Sequence, residues 1–311
     1  MKGFNLIKPG TNIPFVSVHR PFFLISLLLV IGSVALFSLR GMNFGIDFQG
    51  GIVIEVRSEK AADIGHMRSV LGDLGLGEVS LQEFGAPTDV MIRVQRQEGG
   101  EKAQQIAVAK VKETLGDGFE YRRTEFVGPK VSEELFWSGL QAVGFAILAI
   151  LIYIWFRFEW QFGMGAVVAL VHDILSTIGL FAITQMEFNL STVAAVLTIA
   201  GYSINDTVVV YDRVRENLRR YKSRPLPEVL NISINETLSR TVMTSVTTLL
   251  ALLALYFLGG EVIRGFSIAL IWGIVIGTYS SIFLAVPLML YMNLPRRSGD
   301  KADGQAATEG A

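Results

Sequence analysis

Apolar residues gather in six long runs along this chain, with polar residues collected between them. Pro21 to Leu39, Leu135 to Phe156, Thr241 to Gly260 and Gly265 to Leu294 carry no charged side chain. Phe162 to Met186 carries His172 and Asp173, and Phe188 to Tyr211 carries Asp206. A helix crosses a bilayer in about 20 apolar residues. The pattern therefore predicts spans at 21–40, 135–156, 162–186, 188–211, 241–260 and 265–294. Arg40, Gly41 and Met42 follow the first run in place of a small-x-small cleavage site, so it reads as a retained helix and not a signal peptide.

Basic residues in short loops set orientation. Lys2, Lys8 and Arg20 lie on one set of ends. Arg157, the cluster Arg213, Arg215, Arg219, Arg220, Lys222 and Arg224, and then Arg296 and Arg297 lie there too. The opposite short loops hold only Arg264. The expectation is a multi-pass inner-membrane protein with cytoplasmic tails at 1–20 and 295–311 and the long segment 41–134 outside. Tight loops at Arg157–Gln161 and Glu187 make the last five spans one antiparallel bundle. The connection 212–240 starts basic, then places Leu230, Ile234 and Leu238 at helical spacing, which predicts an amphipathic helix lying on the cytoplasmic membrane surface.

Segment 41–134 changes period. Ile52, Ile54 and Val56 alternate as in a strand, and Ala61 to Leu74 places Ile64, Met67, Val70, Leu71 and Leu74 on one helical face. Val79 to Phe84 and Val90 to Gln95 read as a hairpin around Gly85, Ala86 and Pro87. Lys102 to Leu115 is a second helix and Phe119 to Val127 a last strand. The order βαββαβ is that of a ferredoxin-like α+β domain. No catalytic constellation stands out in it, which suggests a binding or mechanical module.

Composition narrows the function. The 311 residues are 51% hydrophobic and 18% charged, with a net charge of −1. A soluble domain carries about 25% charged residues, and nothing basic and aromatic points to nucleic acid. Cysteine is absent and the three histidines are scattered, so neither a metal site nor a cofactor is expected. No phosphate-binding GxxxxGK[ST] loop is present.

The ionisable residues inside the spans are the candidate chemistry, because each costs roughly 2.5–3.5 kcal/mol at mid-bilayer. Asp206 borders a small, polar stripe of Ser191, Ala194, Thr198, Gly201 and Asn205. Arg240 opens the fifth span, in the same half of the membrane. The two suggest a proton-gated ion pair; a static salt bridge, or hydrogen bonds from Asp206 to hydroxyls, is the alternative. His172 and Asp173 are read as either a relay or packing polarity. The arginine cluster reads as topological, and Gly273-x-x-x-Gly277 as helix packing.

Several stretches resemble the SecD/SecF family of bacterial protein-export subunits, within the resistance-nodulation-division superfamily. They are GIDFQGG at 45–51, FVGPKVSEEL at 126–135, FEWQFGMGAVVALVHDILSTIG at 158–179, AGYSINDTVVVYDRVREN at 200–217 and NETLSRTVMTSVTTLLALLALYFLGG at 235–260. The resemblance is to the SecF half of a twelve-helix transporter and covers nearly the whole chain apart from its tails. It implies a SecD partner, and work with SecYEG, SecA, YajC and YidC on unfolded preproteins, driven by the proton motive force. It also maps the family's coupling aspartate onto Asp206 and its arginine onto Arg240. Two other readings compete. A half-subunit of another exporter of the superfamily would usually carry larger external domains. An intramembrane aspartyl protease would need Asp173 and Asp206 to meet as a dyad, and it lacks a GxGD motif. In the expected cycle, protonation of Asp206 moves the external domain about hinges at Gly41, Gly45, Gly50, Gly51, Gly128 and Pro129.

Overall fold

The computed structural model describes residues 11–259, 263–292 and 294. The tail expectations at 1–10 and 295–311 lie outside these, as does Gly260. Six helices among the described residues are long and apolar enough to cross a membrane. They are α1 (His19–Arg40), α5 (Pro129–Arg157), α6 (Trp160–Thr184), α7 (Leu190–Arg220), α8 (Leu226–Leu258) and α9 (Arg264–Ser280). The last continues through a π-turn at Ser281–Ala285 to Tyr291. Between α1 and α5 come α2 (Ile46–Gln49), β1 (Gly51–Ser58), α3 (Ile64–Gly72), β2 (Val79–Phe84), β3 (Ala86–Val94), α4 (Gly100–Leu115) and β4 (Phe119–Val127).

The spans are not equivalent. In α6, α7 and α9, 56% of the most apolar window is buried, against 11% in α1, 6% in α5 and 17% in α8. The first three therefore form the core, and the others present most of their apolar surface outward. The core helices approach closely through glycine. A Cβ on Gly273 of α9 would run into the Ile199 side chain of α7, and one on Gly277 would sit 3.2 Å from the Ser203 Cβ. The Gly273-x-x-x-Gly277 motif is thus the seam between α7 and α9.

Two helices exceed the bilayer. The 31 residues of α7 and 33 of α8 reach well past a hydrocarbon core of about 30 Å at 1.5 Å per residue. The connection expected as a separate surface helix is instead the end of α7, a short turn and the first half of α8. After Pro227, at its first turn, α8 contains no glycine or proline to interrupt it. Its apolar face is not spread on lipid. Leu230, Ile234 and Leu238 pack with Val214 of α7 and with Phe15 and Val16. Asn235 and Asn231 accept from the backbone N–H groups of Ile13 and Val16, at 2.8 and 3.3 Å, and so hold that segment down.

The sheet has the order β2-β3-β1-β4, all antiparallel, which is the ferredoxin-like arrangement. The hairpin is tighter than its sequence suggests: only Gly85 separates β2 from β3. Ile52, Ile54 and Val56 point into a core with Met67, Leu71, Ala107 and Val111. The other face carries opposed charges. Arg57 and Asp89 face each other across β1 and β3 and form a two-pronged ion pair at 2.5 and 2.7 Å.

The Arg57 guanidinium holds the Asp89 carboxyl below the usual carboxylate range. Its stabilising contribution is therefore complete above the unfolded value of 3.8 and is lost as pH falls through the lower folded value. Asp89→Asn should speed hydrogen exchange of the β1 and β3 amides near neutral pH. The difference from the parent should close in strong acid; a difference that persists there would assign the effect to something other than this carboxylate.

Candidate functional site

Two carboxylates lie inside the bundle. Asp206 of α7 is buried, at 7% exposure, and its Oδ1 accepts from the Thr241 hydroxyl of α8 at 2.8 Å. Its Oδ2 is buried and has no hydrogen-bond partner among the described residues. Beside it, the Thr207 and Ser281 hydroxyls join at 2.8 Å, tying α7 to the π-turn after α9. Asp173 of α6 is fully buried. Its Oδ2 accepts from Ser203 of α7 at 2.5 Å and Ser280 of α9 at 2.8 Å, and its Oδ1 lies 2.9 Å from His172 Nδ1. The carboxylates therefore sit at neighbouring crossings of the core helices. Each has its own set of hydroxyls, and no hydrogen bond joins them directly. A proteolytic dyad requires two carboxylates sharing one site; here each is met by different hydroxyls.

The π-turn belongs to this site. Such a turn leaves the regular ladder, and the Ala285 carbonyl within it accepts from the buried Tyr211 hydroxyl at 3.0 Å. Pro287, just beyond, has no N–H to give the Phe283 carbonyl, which favours the local widening.

The expected Asp206–Arg240 ion pair is absent among the described residues. Arg240 is exposed, and its charge acts on the carboxylate only through space. Successive helix residues point about 100° apart; with Thr241 turned toward α7, Arg240 faces away. Asn205 is likewise exposed, together with Ala194, Thr198 and Gly201. The small, polar stripe therefore lies on the outside of this chain, and Arg240, Thr244 and Thr247 of α8 are exposed as well. His172 and Asp173, by contrast, are brought together. Sequence reasoning did not single out Ser203, Thr207, Ser280 or Ser281, and it placed Thr241 only as the start of a span. Their one signal is hydroxyl residues recurring inside apolar runs.

The family model described as protein export membrane protein SecD/SecF, C-terminal, matches residues 107–294, and the SecD/SecF GG motif matches residues 35–62. The chain belongs to the SecD/SecF family. It is 50% identical over 286 residues to the protein translocase subunit SecF of Rickettsia felis, covering 91% of this chain and 93% of that one. It is 47% identical to that of Rhodobacter capsulatus over 326 residues, 98% of each. It also matches the crystal structure of SecDF, a translocon-associated membrane protein, from Thermus thermophilus. There the TM-score is 0.83 at 36% identity over 91% of this chain. A SecDF structure in a super-membrane-facing form gives 0.64 at 33% over 93%. In both cases the chain spans 39% of the longer SecDF chain.

The family's GG motif has a physical reason here. Gly50 and Gly51 have φ of +72° and +126°, and a Cβ on Gly51 would lie 2.9 Å from the Val94 carbonyl. Only glycine turns the chain into β1 at this point. Gly41 shares the positive φ, at +69°; Gly45, Gly128 and Pro129 do not. Gly128 and Pro129 start α5 with ordinary backbone angles. Gly45 is pinned, because its N–H donates to the Phe188 carbonyl at 2.9 Å while Phe188 donates to Asn43 at 2.8 Å. Asp47 accepts from the Leu190 N–H at 2.9 Å. Arg93 of β3 pairs with Glu187 at 2.5 Å and donates to Asn43 at 2.8 Å. The sheet domain is thus fastened to the α6–α7 turn, with a cavity of about 310 Å³ between them lined by Glu55, Arg123, Glu187 and Asn189. Burial pushes the Glu55 carboxyl above the usual carboxylate range, against the pull of the facing Arg123.

Arg93→Ala should loosen this fastening. We expect faster hydrogen exchange at 43–48 and 185–190 with little change in the helices of the bundle. Unchanged exchange in both segments would show that the backbone bridge alone holds the domain.

Proposed function

We propose that the chain is the SecF-type half of a SecD–SecF exporter. The complex uses the proton motive force to help draw preproteins through SecYEG on the outer face, after SecA has driven them in. The observation that carries this reading is Asp206. It is a carboxylate in an apolar bundle, held by one hydroxyl, with Arg240 nearby but unpaired to it. A static role would leave such a charge fully paired, because desolvation is costly. A titrating role needs a carboxylate that can lose its charge without breaking its surroundings. The exposed polar stripe on α7 and α8 is the surface on which we place the SecD half, which brings Arg240 and Asn205 into a shared interior. Both ends of the bundle chain face the cytoplasm in this reading, and the sheet domain faces out.

A proton entering from outside neutralises Asp206, removes the attraction to Arg240 and lets α7 and α8 repack. One charge crossing the field is worth about 2.3 kcal/mol per 100 mV, roughly a 50-fold bias on a two-state equilibrium. The repacking reaches the sheet domain through the α6–α7 turn.

The test is export of a secreted reporter in cells whose only copy carries Asp206→Asn, with membrane insertion and SecD association verified. Gradient-dependent export should fall to the level of cells lacking the protein, and Arg240→Gln should lower it in the same assay. Export unchanged by Asp206→Asn would overturn the reading.

A further inference from the structure

Asp173 is a carboxylate that the reading above leaves without a task. It is fully buried where α6, α7 and α9 meet, and its Oδ1 lies 2.9 Å from the His172 Nδ1. Two serines from two different helices donate to the same oxygen, Oδ2. If this were only glue between helices, an amide oxygen would accept both hydroxyls without the cost of a buried charge. What the acid adds is the capacity to take a proton.

Its surroundings extend toward Asp206. Ser280 precedes Ser281, where the π-turn begins. Ser281 is hydrogen-bonded to Thr207, the residue after Asp206 on α7. Ser203 sits one turn before Thr207 on the same face of α7. Hydroxyls both donate and accept, and they rotate to suit. We propose that Asp173 is a second proton-binding site of the bundle, lined by the hydroxyls of Ser203 and Ser280 and set one turn of α7 from the Thr207–Ser281 pair.

Binding a proton turns the Asp173 carboxylate into the neutral acid and moves no electrons. Protonated Asp173 gains an O–H donor, so one of its serines or His172 Nδ1 must turn to accept it. That changes the contact between α6 and α9. The titratable and charged groups around Asp173 are His172 on α6, Asp206 on α7 and Tyr279 on α9. The Tyr279 ring lies 5.9 Å from that of His172. The α1 helix adds only His19, Arg20 and Arg40 at its ends, and α8 adds Arg240. This inference rests on Asp206 being the coupling carboxylate, so its test must separate the two.

The experiment uses the full chain with its SecD-type partner, purified and placed in liposomes. Carboxyl C=O bands are read by infrared difference spectroscopy across a pH jump in the parent, Asp206→Asn and Asp173→Asn. Two titrating bands are expected, one lost in each variant. In cells, Asp173→Asn should lower gradient-dependent export roughly tenfold or more, and Asp173→Glu should restore part of it. If Asp173→Asn retains every band and full export, Asp173 is structural and the proposal is overturned, whatever Asp206 does. If only the Asp206 band is missing from its variant's spectrum, the coupling reading stands alone. If only the Asp173 band titrates, the second site stands and the Asp206 reading fails. Should Asp173→Asn not assemble, Ser203→Ala with Ser280→Ala must shift the Asp173 band; an unmoved band overturns the proposal.

Discussion

A carboxylate inside a bundle surrounded by lipid is tolerated only where hydroxyls or charges reach it, and that constraint organises the core of this protein. Asp173 requires donors from two neighbouring helices, so α7 and α9 must come close enough for Ser203 and Ser280 to meet on α6. The closeness is supplied by glycine. Gly277 leaves room for Ser203 and Gly273 for Ile199, and with bulkier residues there the serine would be held off its acceptor. The same three helices are the most buried, and the hydroxyl residues lie on the faces they share. Packing and polarity are therefore one arrangement here, because the atoms that fill the seam also satisfy the charge.

The sheet domain obeys a different rule. One face of β1 is apolar and lies on α3 and α4; the other carries Glu55 and Arg57, each matched by a cross-strand partner. Glu55 is nevertheless poorly solvated, because that face is turned toward the α6–α7 turn across a cavity that Ile46, Val53 and Met186 also line. The domain therefore meets the bundle through charge, backbone bridges, a small hollow and the packed rings of Phe44, Phe48, Phe136 and Phe188.

Much of this was legible in the sequence, for reasons that residues make plain. Uncharged runs such as Pro21 to Leu39 leave no reading except a span, and the change from period 3.6 to period 2 gave each element of βαββαβ within a few positions. The junction between α7 and α8 was not legible, because the onset of charge at Asp212 looks like a helix end while α7 runs on to Arg220. The site was half legible. Asp206 and Asp173 stand out because ionisable groups are rare in apolar runs. Serine and threonine do not stand out, since Thr244 and Thr247 bond their own helix while Ser203, Ser280 and Thr241 reach across to a carboxylate. Arg240 and Thr241 differ by one position, and only the helix rotation decides which of them meets Asp206.

The bridge between Gly45 and Phe188 bears on mechanics as well as architecture. It splices the chain entering the sheet domain to the turn that joins α6 and α7, so a tug on the domain does not have to travel through α1 or α5 first. It arrives at the hairpin whose two arms carry Asp173 and Asp206. Tension applied at that turn would thus reach the two helices that carry the proposed proton sites, as a lever reaches its catch.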